Sequence, residues 1–149
     1  MSELDFSGKT VLVVGGSSGI GNGIAHGFLS RGADVHVWGT RPSADDYDAA
    51  DGCDMSGLHY SCVDVSKHET IEAVEAAFDT LDVLVLSQGV VRYQQEEFEK
   101  PGWDYVMDVN IDSVMACASK FKPLLAATNG AIIIVSSISG MQALSLIHI

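Results

Sequence analysis

The chain is short of basic residues: 8 Lys and Arg stand against 20 Asp and Glu, a formal net charge of -12 over 149 residues. So acidic a chain is a poor partner for nucleic acid or an anionic membrane surface. It has only three cysteines, Cys53, Cys62 and Cys117, and no CxxC pair, which argues against a disulfide framework and a cysteine zinc site. No apolar run approaches the roughly 18 residues of a membrane span. The opening MSELDFSGKT lacks the basic-then-apolar pattern of a signal peptide. The five histidines, at 26, 36, 59, 68 and 148, lack the linear spacing of a ligand set, so no metal is expected. These absences fit a reducing, cytoplasmic setting. What is present is globular: 47% hydrophobic and 19% charged residues, enough to bury one domain's core.

Apolar runs alternate with amphipathic stretches. Residues 10–14 (TVLVV) are β-branched and uniformly apolar, as in a strand covered on both faces. A helix is expected over 19–31, with Ile20, Ile24, Phe28 and Leu29 at helical spacing and Gly32 ending it. Residues 34–38 read as a second strand, 42–57 as a polar loop holding a short helix, and 58–63 as a third strand. Ser66 and Glu69 have the spacing of a capping box for a helix over 67–80, with Ile71, Val74, Ala77 and Phe78 as its buried stripe. A fourth strand at 83–86 and a loop over 87–100 precede a long helix at 102–127. Trp103, Val106, Met107, Val114, Ala118 and Phe121 lie near one face of that helix, and Pro123 is expected to kink or tighten its last turn. Residues 131–135 form a fifth strand. This alternation predicts a doubly wound α/β domain, Rossmann-like, with a parallel sheet and helices on both faces.

Strand one runs straight into Gly15-Gly16-Ser17-Ser18-Gly19-Ile20-Gly21. Glycine permits a tight turn and close approach of a pyrophosphate to the backbone. The helix that follows supplies unpaired N–H groups and the positive end of its dipole. A strand–glycine turn–helix junction is the context in which such a turn binds a nucleotide.

The GxxxGIG turn resembles the short-chain dehydrogenase/reductase family, and the resemblance continues from about residue 7 to 143. Asp64-Val65 is similar to the pair that flanks the adenine. Leu86-Ser87-Gln88-Gly89 stands where the family has Asn-Asn-Ala-Gly. Only the glycine matches, so the resemblance implies backbone contacts from Ser87 and Gly89 rather than asparagine side-chain bonds. Trp103-Asp104 through Asp108-Val109-Asn110 resembles the W-D-x-x-x-x-V-N helix, and Ser136-Ser137-Ile138-Ser139-Gly140 the S-S-x-x-G segment. The cofactor-binding set so implied is Gly15, Ser17, Ser18, Gly19, Ile20, Gly21, Arg41, Asp64, Val65, Ser87 and Gly89. At the end of strand two, Gly39 stands where a carboxylate would bond the ribose 2′-hydroxyl of NAD, and Arg41 follows. That pattern favours NADP over NAD, with a plain surface arginine as the alternative.

The family's catalytic pattern makes Ser137 the group that bonds the substrate oxygen and Asn110 the support of a proton-relay water. Its tyrosine acid/base and the lysine one helical turn later fall just past Ile149. No Tyr-x-x-x-Lys occurs within the chain, so the active site is incomplete as written. The final LSLIHI is also a translation of CTG TCT CTT ATA CAC ATC, the transposon end used as a sequencing-library adapter. We therefore expect one domain over 1–143 and an adapter-derived tail over 144–149. The function implied for the intact protein is hydride transfer between NADP or NAD and a small-molecule carbonyl/alcohol pair, in a homodimer or homotetramer packed through the long helix. A non-catalytic nucleotide-binding or redox-sensing module is the alternative, and a sugar-nucleotide epimerase a further one.

Overall fold

A computed structural model describes residues 4–138. Five strands, β1 (Thr10–Val14), β2 (Asp34–Gly39), β3 (His59–Cys62), β4 (Val83–Leu86) and β5 (Ala131–Ile134), form one parallel sheet in the order β3-β2-β1-β4-β5. Helix α1 (Gly19–Leu29) follows β1, and the short α2 (His68–Ala73) follows β3. Between β4 and β5 a helical rod comprises α3 (Lys100–Met107), a π-helical turn (Asp108–Asp112) and α4 (Ser113–Thr128).

Strand alternation divides the core into two layers. Val11, Val13, Val35, Val37, Val83 and Val85 face α1 and pack with Ala25, Ile24 and Phe28. Leu12, Val14, Trp38, Leu84 and Leu86 face the opposite way, against Ile71, Phe121 and Leu125. Burial on both faces is why these strands read as unbroken apolar runs. The chain winds outward from β1 to β3, then returns to lay β4 on the other side of β1. That reversal opens a crevice at the carboxyl ends of β1 and β4, where an open α/β sheet binds its ligands.

The structure corrects several expectations. The helix expected over 67–80 stops at Ala73, and residues 74–80 run outside any helix. The connection from β3 to β4 must pass over β2 and β1, about 14 Å sideways at three inter-strand spacings. The apolar residues of that segment still reach the core from non-helical backbone, Val74, Ala76 and Phe78 packing against it. The capping box does not form either: Lys67 is the N-cap and has no side-chain cap bond. The Ser66 hydroxyl instead donates to Asp64 Oδ1 at 2.6 Å. Ala77 is exposed, and Ala76 packs in its place. Pro123 lies inside α4, which continues to Thr128 before Asn129 ends it in a left-handed conformation. Ile20 is 72% exposed and faces the crevice rather than the core.

Candidate functional site

The β1–α1 junction is built around positions that cannot carry a side chain. Gly15 has φ +76, and a Cβ there would lie 2.8 Å from the Gln88 backbone. At Gly21 a Cβ would lie 2.1 Å from the Gly15 carbonyl oxygen and 2.6 Å from Ser87 Oγ. The turn is thus folded flat onto the end of β4. Ser87 Oγ donates to the Val14 carbonyl at 2.8 Å and fixes that contact. Buried Asn22 closes the turn from below, donating to the carbonyls of Gly16 (3.2 Å) and Asp54 (2.7 Å). Ser18 is the N-cap of α1 but makes no side-chain cap bond. The first N–H groups of the helix have no intrahelical partner, and they open onto the crevice.

The crevice is a cleft of about 430 Å³ lined by Gly15, Ser17, Ser18, Gly19, Ile20 and Gly21 from the turn, Asp64 and Val65 after β3, and Ser87 and Gly89 after β4. Ten of the eleven expected cofactor-binding positions therefore share one cavity. Arg41 is not in its wall. Trp38, Ser66, Gln88 and Val90 also line it. Their only signal in the sequence is adjacency to strand ends.

Asp64 is engaged locally. Its Oδ1 accepts from the Ser66 hydroxyl and N–H, and Lys67 Nζ lies 3.3 Å from Oδ2. The Ser66 hydroxyl bond, opposed by burial, holds the carboxyl below its usual range, with help from Lys67.

At the end of β2, Gly39 has no room for a side chain. A Cβ would lie 2.5 Å from both Ser17 Oγ and Tyr47 OH. Arg41 lies just outside, its guanidinium over the Tyr47 ring at 4.5 Å and donating to the Asp46 carbonyl. The Arg41 N–H donates to Tyr47 OH at 3.1 Å, and Tyr60 OH donates to the Arg41 carbonyl. Burial pushes the Tyr47 phenol up. Hydrogen bonds with Ser17, Tyr60 and the Arg41 and Thr40 backbone outweigh it and hold the phenol below its ordinary value. Burial, then Tyr47 itself, drives the Tyr60 phenol far upward.

Asn110 and Ser137 stand apart from the cleft wall. Asn110 lies in the π-helical turn that interrupts the long helix, a feature common at functional positions. Its Nδ2 donates to the Val90 carbonyl at 2.9 Å, and its Oδ1 accepts from the Val90 N–H at 2.8 Å. The loop after β4 is thereby tied to the helix. Gln88 Nε2 donates to Ser113 Oγ at 2.8 Å one turn further on. Ser137 is an exposed residue beyond β5. Ser139, Gly140 and the expected tail at 144–149 lie outside the described residues.

A doubly wound parallel sheet with a glycine-sealed turn at its switch point defines a Rossmann-like domain. The comparisons sharpen this. A family model described as short chain dehydrogenase matches residues 9–148, and the chain belongs to that family. It is 35% identical over 147 residues to the 3-oxoacyl-[acyl-carrier-protein] reductase FabG of Chlamydia muridarum, covering 90% of this chain and 57% of the relative. It is 32% identical to a 3beta-hydroxysteroid dehydrogenase of Mediterraneibacter gnavus, covering 92% and 52%. In structure it is similar to the Pseudomonas aeruginosa RhlG/NADP active-site complex, with TM-score 0.78, 28% identity and 95% and 59% of the two chains covered. The chain thus spans somewhat over half the length of these relatives. Among the described residues, no helix is long and apolar enough to cross a membrane.

Proposed function

We propose that the intact protein is an NAD(P)-dependent oxidoreductase that interconverts a carbonyl and an alcohol, with NADP as the preferred cofactor. When bound, the cofactor supplies or accepts the hydride. The chain's own residues bind and orient. The N–H groups of Gly19, Ile20 and Gly21, with the Ser17 and Ser18 hydroxyls beside them, hold the pyrophosphate. Asp64 and Val65 flank the adenine. Ser87 and Gly89 line the path toward the nicotinamide, and Arg41 pairs with a 2′-phosphate. Asn110 holds the relay water and Ser137 holds the substrate oxygen. The observation that carries this reading is Gly21, whose missing Cβ keeps the α1 N-terminus against the turn.

Preference for NADP rests on Gly39. The position carries no carboxylate to select NAD, and the Ser17 and Tyr47 hydroxyls occupy the space a side chain there would take. Exposed Trp103, Ile111 and Met115 on the long helix support a homodimer or homotetramer, tested by light scattering.

The test starts with the source DNA beyond codon 143. The reading expects an in-frame Tyr-x-x-x-Lys, and the protein so encoded should oxidise NADPH faster than NADH against a panel of carbonyl compounds. Source DNA that encodes no such motif, or a product inert with both cofactors across the panel, contradicts it.

A further inference from the structure

At the opposite end of the sheet from the cleft, three potential ligands converge. Asp34 is the first residue of β2 and His59 the first of β3. His36 shares a strand face with Asp34, two residues on, and lies directly opposite His59 in the β2–β3 register. His59 Nε2 is 3.0 Å from Asp34 Oδ1, and His36 Nε2 is 3.5 Å from Asp34 Oδ2. One ligand atom from each of the three lies within 4.8 Å of the others. The two imidazoles stack with centroids 4.7 Å apart.

The site has an unexplained polar atom at its centre. The His36 side chain is 8% exposed, and its Nε2 is buried with no hydrogen-bond partner. The 3.5 Å approach of Asp34 Oδ2 is too long and poorly aligned to serve as a hydrogen bond. Phe78 packs on the ring at 4.8 Å and offers that nitrogen nothing. Buried nitrogens in native proteins are nearly always paired.

We propose that Asp34, His36 and His59 bind a divalent late transition ion of the Zn²⁺ class. Two imidazoles and one carboxylate are the donors such ions prefer, whereas Mg²⁺ prefers oxygen alone. Ligands about 2.0–2.1 Å from Zn²⁺ lie about 3.3 Å apart in a tetrahedron, and the two imidazole nitrogens approach different oxygens of Asp34, His59 Nε2 at Oδ1 and His36 Nε2 at Oδ2. Asp34 and His59 are 55% and 62% exposed, which gives the ion an entry path and leaves a position for water. Such an ion fastens β3, which among the described residues pairs with β2 alone, to the sheet. The site is independent of the cofactor cleft, which lies at the other end of the strands.

Zn²⁺ titration of the full chain by calorimetry, with thermal melts in parallel, tests this. One equivalent should bind saturably and raise the melting temperature, and Mg²⁺ should do neither. His59→Ala and Asp34→Asn change exposed side chains, and circular dichroism checks that each variant folds. Losing a mere outer-shell partner weakens metal sites about 10–100-fold, so each variant should lose at least that. His68→Ala, at an exposed histidine elsewhere, should bind as the parent does. Absence of saturable Zn²⁺ binding, or full affinity retained in both folded variants, overturns the proposal.

Discussion

The centre of the sheet and its β5 side differ in how they are built. Around β1, every strand residue is buried on both faces, and the turn into α1 is fixed by close backbone contacts. Around β5 all four strand residues are exposed, and Ser137 follows on an exposed stretch. The proposed nucleotide site is thus a local construction: a strand, a turn and the first turn of a helix, sealed by one neighbouring strand. The proposed substrate groups come from separate elements, Asn110 from a helix and Ser137 from the segment after β5. A short local segment can specify a binding turn, but a catalytic constellation needs the surrounding fold to bring distant residues together.

The contrast predicts unequal costs for truncation. Phe121 is fully buried against Trp38 and Phe78, so Phe121→Ala should cost about 3–5 kcal/mol in urea unfolding. Ile133→Ala in β5 should stay within about 0.5 kcal/mol. Equal losses at the two positions would break the comparison.

Glycines sharpen it further. Gly21→Ala forces a Cβ against the Gly15 backbone, which should cost about 1–3 kcal/mol and abolish nucleotide binding. Gly23 lies in the same helix with nothing within 4 Å of a built Cβ. Gly23→Ala should leave binding intact and stabilise the chain by about 0.5–1 kcal/mol. Melting curves for the pair decide whether the turn or the helix sets the requirement.

Asp82 ties β1 to β5. Its carboxylate accepts from Lys9 Nζ (2.8 Å) and the Thr10 N–H (3.0 Å), and its carbonyl accepts from the Ala131 N–H. Burial alone would raise this carboxyl, but the bonds from Lys9 and Thr10 outweigh it and hold it below its usual value. A depressed folded-state pKa contributes stability that is present above the unfolded value, about 3.9, and lost as pH falls through the folded one. Asp82→Asn should cost about 1–3 kcal/mol at neutral pH. Its stability should fall less than the parent's below about pH 4. The smallest effect is expected at Arg41→Ala, which removes an exposed guanidinium stacked on half-buried Tyr47 and leaves the backbone bonds to Tyr47 and Tyr60 in place. Its stability should change by less than about 0.5 kcal/mol, while NADPH affinity falls toward that of NADH.

Much of the fold was legible because two kinds of signal are local. Unbroken β-branched runs such as TVLVV mark doubly covered strands, and GGSSGIG marks the turn between a strand and a helix. What escaped the sequence depends on neighbours. The helical pattern of residues 74–80 is not realised, and Val74, Ala76 and Phe78 pack on the core from non-helical backbone. Ile20 has the spacing of a core residue but stands at the helix end that faces the cleft. Asn110 is visible as a motif, yet the π-helical turn around it and its paired bonds to Val90 are not. His36 and His59 look scattered in the chain because strand register, not spacing, brings them opposite each other. The Tyr47–Tyr60–Arg41 cluster beside Gly39 likewise joins residues from separate loops and strands.

The most direct measurement is calorimetric titration of the chain with NADPH and with NADH, beside its Gly21→Ala variant. The account predicts one equivalent of nucleotide bound, NADPH more tightly than NADH, and no detectable binding by Gly21→Ala. Absence of binding by the parent chain, or equal binding by parent and variant, would contradict it.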